Sequence, residues 1–87
     1  MSEAEDRYLS EIGKDCEGLL GPGIQVVGVR REYSRRGVKL VARYQLGATA
    51  WESAATGESA VAAHAALRDQ LVVDRVRLGF TAWVDRP

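Results

Sequence analysis

The 87-residue chain is 46% hydrophobic and 28% charged, the composition of one small soluble globular domain, residues 1–87, near the lower size limit for an adequate single core. Twelve acids balance twelve bases, which argues against bulk attraction to nucleic acid. No apolar run approaches the roughly 20 residues needed to span a bilayer, and the acidic start is no signal peptide. A single cysteine excludes an intramolecular disulfide framework and any multi-cysteine metal site. These features make cytoplasmic the default location, and dimerisation is a common way for so small a domain to gain stability.

The neutral total hides a segregation. Residues 1–20 carry six acids and two bases, net −4, whereas residues 21–56 carry six bases and two acids, net +4. Residues 57–87 balance. A local basic patch therefore stays open on a neutral chain.

In chain order, Ser2-x-x-Glu5 has the form of a capping box opening a first helix. Leu9, Ile12, Cys16 and Leu20 form its apolar stripe, flanked by Tyr8 and Leu19. Gly21-Pro22-Gly23 stops it. Ile24–Tyr33 is valine-rich and predicts a strand; Ser34-Arg35-Arg36-Gly37 predicts a turn. Val38–Leu46 alternates cleanly, with Val38, Leu40, Ala42, Tyr44 and Leu46 on one face and Lys39, Val41, Arg43 and Gln45 on the other. Such alternation marks an antiparallel sheet with one side on the core and one side wet. A third strand is predicted over Ala50–Ala55, with Trp51 and Ser53 opposing Glu52 and Ala54.

Gly57 and Ser59 then punctuate the entry to a second helix. Ala60, Ala63, Leu67 and Leu71 make its apolar stripe, with Asp74 closing the row. The helix is predicted to end near Val73, with Asp74-Arg75 leading into a fourth strand. There Val76, Leu78, Phe80, Ala82 and Val84 alternate with Arg75, Arg77, Thr81 and Trp83. The predicted fold is α+β: a two-layer sandwich, an antiparallel sheet covered by two helices on one face, in the order α-β-β-β-α-β.

The stretch Gly57-x-Ser59-x-x-x-Ala63-x-x-Ala66, with the element order, resembles the junction between third strand and second helix in double-stranded-RNA-binding domains. The resemblance covers roughly residues 1–73. It implies helix, three antiparallel strands, helix, and a second helix whose start grips phosphates with lysines at the positions of Ala60, Val61 and His64. This chain has lost that trio. It also lacks the Gly-Pro-x-His motif with which the family's first loop enters a minor groove.

The residues most suited to contacts are those of the basic hairpin: Arg30, Arg31, Tyr33, Arg35, Arg36, Lys39 and Arg43. Arginines bind phosphate bidentately and a tyrosine stacks on bases; an edge hairpin decorated with arginine for solubility has the same composition. If the last strand shares the sheet, Arg75, Arg77 and Trp83 join Lys39, Val41 and Arg43 on the uncovered face as a stacking platform or dimer interface. His64 is the single histidine, and no nucleophile–base arrangement, phosphate loop or metal-ligand spacing is readable. The sequence therefore predicts no enzyme and no cofactor, metal, membrane or small-molecule substrate. The first functional expectation is a self-associating interaction module, a homodimer. The second is a protein that binds structured RNA or the ribosome through the Arg30–Arg43 hairpin. A third, a small-molecule sensor with a pocket between helices and sheet, has no residue speaking for it.

Overall fold

A computed structural model describes residues 3–21 and 23–78. The elements run α1 (Glu3–Leu20), β1 (Gln25–Ser34), β2 (Gly37–Leu46), β3 (Thr49–Gly57) and α2 (Ala60–Arg77). The strands form one antiparallel sheet in the order β1-β2-β3, and both helices lie on one of its faces.

The apolar stripes meet between the layers. Ile12, Cys16 and Leu20 from α1, Leu40, Ala42 and Tyr44 from β2, and Ala63, Leu67 and Leu71 from α2 are all buried in one cluster. Leu9, Tyr8 and Leu19 pack at its margin. The central strand supplies most of the sheet's share because only it has neighbours on both edges. Tyr44 stacks on its cross-strand partner Trp51 with ring centroids 6.1 Å apart, a pairing worth about 0.5–1.5 kcal/mol beyond the area it buries.

Helix ends follow the chemistry of their termini. Leu20 hands over to Gly21 at φ 100°, whose N–H donates to Glu17 O; a residue without Cβ takes this left-handed turn at little cost. Ser59, extended at φ −139°, caps α2 by accepting from Ala62 N at 3.2 Å. The capping box at Ser2 lies outside the described residues.

At the strand-to-helix junction the glycine is needed for space. A Cβ on Gly57 would fall onto the backbone nitrogen of Ala63 and the carbonyl carbon of Ala62. The closeness of α2 to β3 therefore depends on a residue with no side chain.

One expectation is corrected. Helix α2 does not stop near Val73: Asp74, Arg75, Val76 and Arg77 are helical. Asp74 continues the buried row of Ala63, Leu67 and Leu71, and its carboxylate accepts from the buried Ser53 hydroxyl on β3, which holds this turn against the sheet. Arg75 and Arg77 add favourable charge to the helix's negative end. The alternation of Val76 and Leu78, which reads as a strand in isolation, is thus overridden by tertiary contacts. The remaining fourth-strand prediction, with Phe80 and Trp83, lies outside the described residues. No described helix is long and apolar enough to cross a membrane.

Candidate functional site

The seven hairpin residues do not form a single patch. β1 and β2 pair so that Arg30 faces Val41 and Glu32 faces Lys39, whereas Arg31 faces Leu40 and Tyr33 faces Val38. Alternation therefore divides them between the two sides of the sheet.

On the helix-free side, Arg30 is held by two carboxylates. Its Nε lies 2.8 Å from Glu32 Oε2 and its Nη1 lies 3.1 Å from Glu52 Oε2 on β3. To reach Glu52 the side chain must cross β2 at Val41, its own cross-strand partner. That explains why Val41 is only 3% exposed on a face with no helix over it. Hydrogen bonds from Arg30 and the nearby Lys39 charge hold the Glu32 carboxyl below its ordinary range, and Glu32 and Glu52 together hold the Arg30 guanidinium above its own. Arg43, exposed, stands opposite Glu52. The outer face is thus a mixed-charge lattice.

On the other side, the Arg31 guanidinium carbon lies 5.1 Å from the Tyr33 ring centroid, and Tyr33 is 70% exposed. At the tip, Arg35 and Arg36 are exposed, and Arg36 N donates to Ser34 Oγ at 3.2 Å. Arg75 and Arg77 do not join Lys39 and Arg43. They sit on α2, on the opposite side of the sheet: Arg75 Nη1 donates to Leu19 O at 3.3 Å and Arg77 Nη2 pairs with Asp74 at 3.1 Å. Trp83 lies outside the described residues.

The start of α2 carries no fixed charge. Ala60 is half-buried, Val61 is 77% exposed, and His64 Nε2 lies 3.0 Å from Asp15 Oδ2 on α1. Asp15 also accepts from Arg68 Nη1 at 3.1 Å. Further along α2, Val72, Val73 and Val76 are 49%, 57% and 66% exposed. The sequence did hold a signal for them: on a helix whose buried row is Ala63, Leu67, Leu71 and Asp74, these valines fall opposite.

Inside, a hydrogen-bond chain links three elements. The Asp74 carboxylate only accepts, so the Ser53 hydroxyl proton points to Asp74 Oδ2, 2.5 Å away. Tyr44 O–H therefore donates to Ser53 Oγ, at 2.8 Å. Gln70 Nε2 donates to the other Asp74 oxygen at 3.0 Å. Cys16 is fully buried, and desolvation, reinforced by the Asp15 charge, pushes its thiol up to about 11; such a thiol is a packing group and a poor nucleophile. Among the described residues no three of His, Cys, Asp and Glu come together as metal ligands. A shallow cleft of about 380 Å³ lies between α1 and β1, floored by Gly13, Val26 and Val29. Comparison with protein families, with curated proteins and with solved structures finds no match.

Proposed function

We propose that the chain is a small non-enzymatic interaction module that associates with itself. The observation behind this reading is the outer face of α2, where Val61, Val72, Val73 and Val76 stand 49–77% exposed. Four exposed valines on one helix contribute little to the core they turn away from, and apolar surface of this kind marks protein contacts. The hairpin arginines favour the same reading, since Arg30 is already neutralised within the chain. Sedimentation of the pure protein over a hundredfold range of concentration tests it: a mass that rises to that of a dimer supports self-association, and a constant monomer mass rejects it.

A second reading, contact with duplex RNA, draws on the resemblance to double-stranded-RNA-binding domains and on one local arrangement. The tip arginines Arg35 and Arg36 immediately precede Gly37, which packs beside Gly57 at the entry to α2, so hairpin tip and helix start share one end of the domain. With the lysine trio replaced by Ala60, Val61 and a His64 engaged by Asp15, few phosphate contacts remain, and phosphate neutralisation supplies most of duplex affinity. If RNA is the ligand, Arg35→Ala with Arg36→Ala should abolish salt-sensitive binding while leaving the melting temperature nearly unchanged.

A further inference from the structure

The sheet has two edges, and they are treated differently. β1 carries an irregularity between Val26 and Gly28 and the charges Arg30, Arg31 and Glu32, devices that discourage a second strand from pairing. β3, Thr-Ala-Trp-Glu-Ser-Ala-Ala-Thr-Gly, has one charge in nine residues, Glu52, which shares Arg30 of the same chain with Glu32. No described residue pairs with its free edge. A long edge with so few charges is a template for another strand.

The register of that pairing can be worked out. The hairpin between β2 and β3 turns at Gly47-Ala48 and closes on the pair Leu46 and Thr49. In a two-residue hairpin the closing pair is hydrogen-bonded, and bonded pairs recur at every second residue. Thr49, Trp51, Ser53, Ala55 and Gly57 therefore spend their backbone groups on β2. Ala50, Glu52, Ala54 and Thr56 turn theirs to the free edge.

We infer that β3 is the seam of a symmetric dimer, resting on the self-association reading above: two copies pair antiparallel at β3, with the two-fold axis beside Ser53. In this register Ala54 of one copy faces Glu52 of the other and Ala50 faces Thr56, so all four outward residues are bonded. A parallel in-register pair, or an antiparallel pair centred on Glu52, sets Glu52 against itself; like charges directly opposite are destabilising. The two-fold operation makes each contact occur twice.

An independent feature of the helix layer fits the same axis. α1 lies on the β1 side and α2 on the β3 side, and His64, Arg68 and Arg75 face α1. The opposite flank of α2, with Ala66 and Val73, faces the open edge. The bond between Ser53 and Asp74 holds this part of α2 over β3, to one side of the axis. Val73, 57% exposed and next to Asp74 on that flank, is the helix-layer residue turned toward the second copy.

Two substitutions of opposite charge at one exposed position provide the test, read by sedimentation of the full chain. Ala54→Glu places two carboxylates opposite each other on either side of the axis and should weaken the dimer at least about tenfold. Ala54→Lys places an ammonium opposite Glu52 and should leave the dimer intact or tighten it. Val73→Asp should weaken it from the helix layer without touching the strand. If the wild type dimerises and neither Ala54→Glu nor Val73→Asp shifts its dissociation, the β3 seam is overturned while self-association stands. Equal weakening by Ala54→Glu and Ala54→Lys overturns the register. A wild type that stays monomeric overturns both readings.

Discussion

His64 Nε2 and Asp15 Oδ2 lie 3.0 Å apart, joining the second helix to the first. His64 turns inward, and the same Asp15 also accepts from Arg68, so the only acid in this contact is satisfied from within the chain. The groups at the start of α2 are committed to packing α1, and the exposed remainder of the helix sets Val72, Val73 and Val76 beside the charged Asp69 and Arg77.

The buried chain from Tyr44 through Ser53 to Asp74 should be the polar contact to which stability is most sensitive. Replacing Asp74 by alanine leaves the Ser53 hydroxyl buried without its acceptor, a loss of about 1–3 kcal/mol before any cavity cost. Tyr44→Phe removes only the donor at the far end and should cost about 1 kcal/mol. Urea denaturation of the two variants checks the order, and a Tyr44→Phe loss larger than that of Asp74→Ala would contradict it.

Leu67 is fully buried on the row that docks α2 on the sheet. Leu67→Ala should destabilise by about 2–5 kcal/mol. A loss under about 1 kcal/mol would mean that the helix meets the sheet through a different face.

Gly57→Ala should be at least as damaging as an ordinary overpacked core change, about 1–3 kcal/mol, because the added methyl lands on the backbone of Ala62 and Ala63. Backbone atoms cannot swing aside as a side chain would. Gly18, whose added Cβ meets nothing within 4 Å, is the control: Gly18→Ala should be neutral or stabilising, since it improves helix propensity.

The thiol of Cys16 sets an alkaline limit. Its pKa rises from 9.0 to about 11 on folding, chiefly through burial. Because the folded value is raised, the folded state holds the proton more tightly. The stability this confers is complete below pH 9 and is lost as pH climbs from there toward 11. Burial raises Tyr44 in the same direction. Melting temperature should therefore fall above pH 9, less steeply in Cys16→Ala, and the native thiol should resist a thiol reagent at pH 8 that labels the unfolded chain at once. Rapid labelling of the native protein would show the thiol to be accessible.

Much of this architecture was legible in the residues. The alternation Val38–Leu46 predicts which face of β2 is buried, and it is buried as predicted, because period-2 patterning survives whatever packs on it. The stripes of both helices and the Ser59 cap are likewise local. The end of α2 was not legible: Val76 and Leu78 fit either period, and the deciding interaction is a bond from Asp74 to Ser53, 21 residues away. The basic hairpin looked like one patch because a linear reading cannot see Glu52 reach Arg30 across the intervening strand.

The most direct measurement is the native mass of the full chain, alone and with a short RNA duplex, at about 50 and about 200 mM salt, a range over which phosphate contacts weaken sharply. Self-association predicts a dimer at both salt concentrations whose population is indifferent to RNA. A monomer that forms a salt-sensitive complex with the duplex would contradict it and turn attention to Arg35 and Arg36.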